Sequence, residues 1–208
     1  MRVASLLLVH GAGSGPWVFG RWQDAFSDIE VIAVDLQSGA DVSRVSMTDY
    51  AHTVTGVGRA LPPPVVLLGW SMGGLVALMA AEAIQPALVV LLEPSPPSEV
   101  QGHDRHTQLR GGVFDPEEVY GRFPQGVPAR PESQLARDER KRGISVPSLP
   151  CPSLVLWGDE FGDERGRRVA RLYGSREMYV PGATHWDLVL DSRVPKRIGD
   201  VLWGRGQP

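Results

Sequence analysis

Residues 65–75, VVLLGWSMGGL, join a run of apolar residues to a segment of small ones. The run Val65 to Leu68 is typical of a strand that is buried on both faces of a sheet, and the segment Leu75 to Ile84 is typical of a helix that packs closely on it. Between them lies Gly-x-Ser-x-Gly, a pattern that indicates a catalytic serine when it falls at such a strand-to-helix turn. The sequence therefore predicts that Ser71 is a nucleophile.

The glycines around Ser71 are part of this prediction. A nucleophile on a sharp turn between a strand and a helix has a strained backbone, and its neighbours must be small because other backbone segments approach closely. Gly69, Gly73 and Gly74 leave that room. The turn also places Ser71 at the positive end of the helix dipole, where the amide of Met72 can face a developing oxyanion.

A second glycine-rich loop follows the first apolar run, Ser5 to Val9. It has the sequence His10-Gly-Ala-Gly-Ser-Gly-Pro-Trp17, and it would lie at the carboxyl edge of a parallel sheet, where ligands bind in open α/β folds. We expect the amide of Ala12 to be the second oxyanion donor and His10 to support the loop. The alternative, a phosphate-binding loop, would need a Lys-Ser/Thr ending or a G-x-G-x-x-G spacing, and the sequence has neither.

The general base is expected after the last apolar run, where the sequence is Gly182-Ala-Thr-His-Trp186. Serine is a weak nucleophile at neutral pH unless a base within hydrogen-bond reach takes its proton, and His185 can be that base. Two other histidines, His103 and His106, are three residues apart, but no cysteine or further histidine nearby would complete a zinc shell. We therefore expect no metal.

Strand-like and helix-like segments alternate along the chain, which indicates a parallel sheet wound with right-handed crossovers. The predicted fold class is α/β, with a mostly parallel, doubly wound sheet of about six strands flanked by helices, in a single domain over residues 1–208. The predicted strands are Ser5–Val9, Val31–Val34, Val65–Leu68, Leu88–Leu92, Ser153–Trp157 and Met178–Val180, and the predicted helices are Trp17–Phe26, Met47–Leu61, Leu75–Ile84 and Val194–Trp203.

One segment, from Pro94 to Pro150, interrupts this alternation. It is rich in proline and glycine, holds no convincing strand and contains the charged run Arg137-Asp-Glu-Arg-Lys-Arg142. We interpret it as a surface excursion with one or two helices whose charges face water. Because long insertions in compact domains often cover a site, we expect this excursion, about residues 94–150, to form a short lid.

The composition is that of an ordinary globular protein, with 42% hydrophobic residues, 22% charged residues and a formal net charge of −3. This balance favours neither nucleic acid nor a membrane as a partner, so a small molecule is expected. No stretch approaches the roughly 18 apolar residues of a membrane span. The single cysteine, Cys151, cannot form an intrachain disulfide, and a cytoplasmic location fits these features.

The motifs, taken in order, resemble those of the α/β-hydrolase superfamily over nearly the whole chain. The resemblance rests on His10-Gly-Ala-Gly13, Gly69-Trp-Ser-Met-Gly73, Leu154-Val-Leu-Trp-Gly158 and His185-Trp186. It implies a serine hydrolase that uses Ser71 as nucleophile, His185 as base and the amides of Ala12 and Met72 as oxyanion hole, with no cofactor. The sequence differs from the family in starting directly on the oxyanion strand, without the two antiparallel strands that often open the sheet.

The resemblance leaves the third member of the catalytic triad open. Family members usually place an aspartate three residues after the glycine that ends the penultimate strand, and that position is Phe161 here. A shortened turn would bring Glu160 into the role, and we favour it. Asp163 and Asp159 are alternatives, and Glu93, at the end of the preceding strand, is a further one. The acid must accept a hydrogen bond from the imidazole and hold its tautomer.

Aromatic residues adjoin the predicted catalytic positions, and they are expected to line a substrate pocket. They are Trp17, Trp70, Phe161 and Trp186, to which the excursion can add Phe114, Tyr120 and Phe123. Such a pocket suits a small hydrophobic ester or thioester, which would be hydrolysed through an acyl-Ser71 intermediate. The alternatives are lyase, cyclisation or acyl-transfer chemistry with the same triad, and a scaffold that binds a small molecule without catalysis.

Overall fold

A parallel sheet forms the centre of the protein, because its apolar strands are covered on both faces. The computed structural model describes residues 3–204. The strands in this range are β1 (Ser5–Val9), β2 (Glu30–Val34), β3 (Val65–Trp70), β4 (Leu88–Leu92), β5 (Val113–Phe114), β6 (Glu132–Ser133), β7 (Ser153–Trp157) and β8 (Arg176–Tyr179). Six of them form one sheet in the order β2-β1-β3-β4-β7-β8, and its pairings are all parallel. The predicted α/β fold class is confirmed.

Helices cover both faces of this sheet. They are α1 (Gly20–Ala25), α2 (Met47–Ala60), α3 (Met72–Ile84), α4 (Ser98–Gln101), α5 (Pro116–Tyr120), α6 (Gln134–Arg142), α7 (Arg168–Tyr173), α8 (Asp187–Leu190) and α9 (Arg193–Leu202). Successive strand residues point to opposite faces. Leu7 and Leu67 therefore pack with α2 and α3, whereas Leu6 and Leu68 pack with α1, α8 and α9.

The element bounds differ from the sequence prediction mainly at their ends. The predicted helix Trp17–Phe26 is a 3-10 turn, Pro16–Phe19, followed by α1. Strand β3 continues to Trp70 and helix α3 begins at Met72, so Ser71 alone separates them. This leaves no loop in which Ser71 could move.

The excursion between residues 94 and 150 is more structured than predicted. Strands β5 and β6 pair antiparallel, Val113 opposite Ser133 and Phe114 opposite Glu132, so the prediction that the segment holds no strand was wrong. Each of these strands has only two residues, which is too short for the alternation of apolar and polar residues that identifies a strand in a sequence. The charged run lies on α6, where Asp138 is fully buried and binds Arg110 at 2.9 Å. Its charges therefore do not all face water.

A buried carboxylate joins the excursion to the loop after β1. Glu132 is fully buried and accepts hydrogen bonds from the amide of Gly13 at 2.9 Å and from the Tyr50 hydroxyl at 2.6 Å. Beside it, the amide of Arg130 donates to the carbonyl of Gly13 at 2.9 Å. The excursion is thus bonded to the glycine-rich loop through both its backbone and a buried side chain.

Residues 1–2 and 205–208, the ends of the predicted domain 1–208, lie outside the described residues, and the single-domain assignment stays a prediction. Between residues 3 and 204, no helix has the length and apolarity needed to cross a bilayer.

We predict that Glu132→Ala lowers the free energy of unfolding by about 2 kcal/mol or more, because it leaves the buried donors of Gly13 and Tyr50 without an acceptor. Urea unfolding followed by circular dichroism measures the loss. The matched control is Glu118→Ala, at an exposed position of α5, which should change stability by less than about 0.5 kcal/mol. If the two variants have the same free energy of unfolding, the hydrogen bonds of Glu132 do not stabilise the fold as predicted.

Candidate active site

The backbone at Ser71 is strained. Its φ of 55° and ψ of −122° belong to a region that residues with a side chain rarely adopt, at a typical cost of about 1–3 kcal/mol. Three hydrogen bonds hold it there: its amide donates to the carbonyl of Leu92 at 3.1 Å, and its carbonyl accepts from the amides of Ser95 at 2.7 Å and Gly74 at 3.0 Å. Ser71 is therefore fixed by the end of β4 and by the residues that follow that strand.

The neighbouring glycines are required by backbone contacts. A Cβ on Gly69 would lie 2.3 Å from the carbonyl oxygen of Gly73, and a Cβ on Gly73 would lie 2.2 Å from the carbonyl oxygen of Val9. Atoms do not approach this closely, so a side chain at either position would push α3 away from β3 or β1. The small residues expected around Ser71 are explained by this packing.

Two backbone amides lie next to the turn. Met72 is the first residue of α3, so its amide has no partner within the helix. The amide of Ala12 donates no hydrogen bond to any residue of the described range. Ala12 and Ser71 line the same cavity, and a Cβ on Gly11 would lie 3.0 Å from the Cβ of Ser71. Ala12 thus lies at the cavity beside Ser71, and Met72 follows Ser71 directly in the chain.

His10 supports the loop that carries Ala12. Its ring is fully buried, with Nδ1 2.8 Å from the carbonyl oxygen of Gly11 and Nε2 3.2 Å from the amide of Leu36. The tautomer with hydrogen on Nδ1 satisfies both contacts, because Nδ1 then donates and Nε2 accepts. Ser14 also donates its hydroxyl to the Gly11 carbonyl at 2.8 Å. The loop is held by its own side chains, as expected.

His185 lies on the loop between β8 and α8, and its main chain is bonded on both sides. The amide of His185 donates to Glu160 Oε2 at 2.8 Å, and its carbonyl accepts from Trp70 Nε1 at 3.0 Å. The side chain is only 13% exposed, and it lines the cavity with Ser71. The structure therefore brings the predicted nucleophile and the predicted base to one cavity.

The partner of the imidazole is Glu93. Oε2 of Glu93 lies 2.7 Å from Nδ1 of His185, and Oε1 accepts from the amide of Gly158 at 2.8 Å. Glu93 is fully buried and has a φ of 38°, a second strained backbone position directly after β4. With Nδ1 bound to Glu93, Nε2 is the nitrogen left to exchange a proton.

The favoured acid, Glu160, does not contact the imidazole. It is exposed, and its carboxylate accepts the backbone amide of His185 instead, so it fixes the loop and not the ring. Asp159 accepts from the amide of Gly182 at 3.1 Å, and Asp163 is an exposed residue of the π-helical turn Gly162–Arg167. Of the four carboxylates considered for the role of acid, Glu93 bonds the imidazole, and the favoured Glu160 and its alternatives Asp163 and Asp159 do not.

The environment of His185 lowers the pKa of its imidazole below the ordinary value. Burial is the main cause, since it disfavours the charged ring, and the nearby positive charge of Arg165 acts in the same direction. The hydrogen bond to Glu93 opposes these effects by stabilising the imidazolium. The neutral form, which can accept a proton, therefore persists to lower pH than in a free imidazole.

The cavity beside Ser71 has a volume of about 260 Å³. Its lining residues are Ala12, Trp70, Ser71, Ser95, Tyr120, Phe123, Arg140, Glu160, Phe161, Arg165, His185 and Trp186. Of the predicted pocket residues, Trp70, Phe161 and Trp186 line it. Trp17 does not: the residue is 40% exposed, and its ring lies under the guanidinium of Arg130.

Two further differences concern the excursion. Tyr120 and Phe123 line the cavity as expected, but Phe114 packs against Tyr120 and Arg137 instead. The cavity is also less apolar than predicted, because Arg140 and Arg165 line it. Arg140 belongs to the charged run that the sequence pattern placed in water, and nothing in that pattern distinguished it from its neighbours.

Metal-binding residues are not clustered in the part of the chain that the structure describes. Between residues 3 and 204, no group of three or more histidine, cysteine, aspartate and glutamate side chains is placed to hold a metal ion. His103 and His106 are both exposed.

Comparison with known proteins agrees with this architecture. The sequence model of the Alpha/beta hydrolase family matches residues 6–198. Among curated proteins, the chain is 35% identical over 80 residues to a pimeloyl-[acyl-carrier protein] methyl ester esterase of Neisseria meningitidis serogroup B (strain H44/76). This match covers 38% of the present chain and 31% of the esterase. A protein of the same name from Shewanella sp. (strain MR-7) is 37% identical over 76 residues, 36% of this chain and 28% of that protein. The matched region spans about a third of these relatives.

Solved structures share the fold over almost the whole chain. Polyneuridine aldehyde esterase superposes with a TM-score of 0.68 at 17% identity, covering 97% of this chain and 100% of that one. The monoacylglycerol lipase of Paleococcus ferrophilus superposes with a TM-score of 0.69 at 18% identity, covering 97% and 95%. A variant of tomato methylketone synthase I superposes with a TM-score of 0.70 at 15% identity, covering 99% of each chain.

We predict that the imidazole of His185 titrates below the value of about 6.5 of a free imidazole. NMR of histidine ring signals as a function of pH measures this midpoint, with the His185 signal assigned from its loss in His185→Gln. In Glu93→Gln the midpoint should fall further, because the carboxylate that stabilises the imidazolium is gone. A His185 midpoint at or above about 6.5 would contradict the effect of burial.

Proposed function

Because the chain belongs to the alpha/beta hydrolase family, we propose that it is a serine hydrolase that cleaves a carboxylic ester or thioester through an acyl-Ser71 intermediate. The observation that carries this proposal is the bond between His185 Nδ1 and the buried carboxylate of Glu93 at 2.7 Å, at the cavity that Ser71 also lines. A nucleophile, a base and an acid that orients the base are the parts that acyl transfer requires.

The substrate class is supported by two observations. The partial relatives are named methyl ester esterases, which favours an ester over a peptide. The cavity has aromatic walls formed by Trp70, Phe161 and Trp186, which suit an apolar acyl or alcohol group. We therefore propose a small, partly hydrophobic ester as the substrate, and no cofactor is needed for its hydrolysis.

In the proposed mechanism, the oxygen of Ser71 attacks the ester carbonyl while Nε2 of His185 takes its proton. The amides of Ala12 and Met72 bind the oxyanion that forms. When the intermediate collapses, His185 returns the proton to the departing alcohol and the acyl group stays on Ser71. Water then attacks the acyl group, with His185 again as base, and the carboxylic acid is released.

We assign the role of triad acid to Glu93. A full negative charge in the interior is stable only when it is paired and hydrogen-bonded, and Glu93 meets this condition through His185 and the Gly158 amide. Its charge stabilises the imidazolium that forms when Ser71 loses its proton. Glu160 instead positions the loop through the amide of His185.

A fluorophosphonate probe tests the nucleophile. We expect the probe to bind Ser71 covalently, with loss of its leaving group, and intact-mass spectrometry should show one adduct that is absent in Ser71→Ala. Product analysis with a neutral aryl ester should then show the free acid and alcohol in equal amounts. Folded protein that neither reacts with the probe nor cleaves the ester would refute the proposal.

We predict that Glu93→Gln reduces kcat by about 10³- to 10⁴-fold, because the amide no longer holds the imidazole in the required tautomer. Glu160→Gln is the matched control, since it makes the same change in a glutamate that contacts only the backbone of His185, and we expect a loss of less than about tenfold. Steady-state kinetics with the aryl ester, together with the melting temperature of each variant, measures the difference. If Glu160→Gln loses more kcat than Glu93→Gln, Glu160 and not Glu93 is the triad acid.

A further inference from the structure

Two guanidinium groups lie at the cavity, and the proposed mechanism uses neither. Arg140 comes from α6 in the excursion and Arg165 from the π-helical turn after β7, and both side chains line the cavity with Ser71 and His185. Two chain segments that are distant in sequence thus bring positive charges to the same cavity as the nucleophile.

Neither guanidinium forms a salt bridge within residues 3–204. In the described part of the chain, no carboxylate oxygen lies within 4 Å of the guanidinium nitrogens of Arg140 or Arg165. Glu160 is the one carboxylate among the described lining residues, and its Oε2 already accepts the amide of His185. Arg140 itself donates to the carbonyl of Ala136 at 3.4 Å and to the Tyr120 hydroxyl at 3.2 Å, both of them neutral groups.

The guanidinium of Arg165 packs on an aromatic ring, but one of its nitrogens has no hydrogen-bond partner among the described residues. Its guanidinium carbon lies 4.2 Å from the ring centroid of Phe161, a cation–π contact that fixes the plane of the group. Its Nε is buried and makes no hydrogen bond to any described residue. Burial is the main cause that lowers the pKa of Arg165, and the charge of Arg140 acts in the same direction, whereas the charges of Glu164 and Glu93 oppose it. The two guanidiniums line one cavity, where like charges repel each other, and an arginine keeps its charge in proteins.

We propose that Arg140 and Arg165 form an anion subsite of the cavity, and that the ester substrate carries a carboxylate that binds there. The inference rests on the proposed function, because it supposes that the ester group lies at Ser71. A carboxylate supplies two acceptors whose geometry fits a guanidinium. Between the two polar ends, the rings of Trp70, Phe161 and Trp186 pack on the apolar part of the substrate.

A neutral hydrophobic ester fits this cavity less well. It would displace water from the two guanidiniums without replacing the lost hydrogen bonds, and desolvated charges without partners are unfavourable. The carboxylate provides these bonds and relieves the repulsion between Arg140 and Arg165. The subsite therefore favours an ester with an anionic end over a neutral ester of the same size.

The test compares esters that differ only in charge. In the first set of pairs, an aryl half-ester of a dicarboxylic acid of four to eight carbons is compared with the ester of the same length that ends in a carboxamide. A second pair, the acetate esters of 4-hydroxybenzoate and of 4-hydroxybenzamide, places the charge on the alcohol side. Rates are measured at pH 8, where His185 is neutral, and the spontaneous rate with Ser71→Ala protein is subtracted.

We expect the kcat/KM of the anionic ester to exceed that of its carboxamide partner by about tenfold or more in at least one pair. The ratio should fall towards one in Arg165→Gln and in Arg140→Gln, and it should decrease with added salt. The matched controls are Arg167→Gln and Lys141→Gln, at exposed positions on the same two segments, and they should keep the wild-type ratio. Arg165→Lys keeps the charge but loses the planar group, so its ratio should be intermediate.

The failure of this inference differs from the failure of the proposed function. An active wild-type enzyme with a ratio at or below one in all pairs would overturn the subsite and leave the hydrolase intact. A ratio above one that persists in both arginine variants would also overturn it. Absence of probe labelling and of hydrolysis of both members of each pair would instead refute the hydrolase. If an arginine variant does not fold, the subsite is tested by the wild-type ratio of kcat/KM between anionic and carboxamide esters and by the decrease of that ratio with salt.

Discussion

The turn at Ser71 is the constraint on which the rest of the site depends. A single residue joins strand β3 to helix α3. At Gly69 and Gly73 the backbone segments therefore lie so close together that a side chain at either position would clash with a backbone carbonyl. This packing places the first amide of α3 beside the serine and brings the loop after β1 alongside. The strain at Ser71 is offset by bonds to β4 and to the residues that follow it. The proposed nucleophile and the amides proposed for the oxyanion hole are thereby held by the sheet itself.

The second determinant is a carboxylate that the sheet buries. Strand β4 lies between β3 and β7, so the residue after β4 is placed between the turn of Ser71 and the turn after β7. The loop of His185, which follows the next strand, β8, reaches it there. Glu93 occupies this position, fully buried, with both oxygens bonded. An isolated charge would be unstable there, and its two partners stabilise it. The imidazole of His185 is oriented by the centre of the sheet and not by the exposed turn after β7.

The excursion completes the cavity. Glu132 binds it to the glycine-rich loop and to Tyr50, while Tyr120, Phe123 and Arg140 form part of the cavity wall. A segment that is irregular in sequence is therefore bonded to the loop that carries Ala12. The mixture of aromatic rings and guanidiniums distinguishes this cavity from a purely apolar pocket, and it bears on which ester can bind.

The sequence by itself determined the order of strands and helices, the turn at Ser71 and the position of His185 after the last strand, because these depend on local patterns of apolar residues and glycine. Only the tertiary structure decided which carboxylate meets the imidazole, since Glu93 and His185 are 92 residues apart and spacing along the chain pointed to Glu160. The same holds for Arg140, which had the appearance of one charge in a solvated run. Contacts between distant segments depend on how the sheet and the excursion pack, and a local pattern carries no information about that packing.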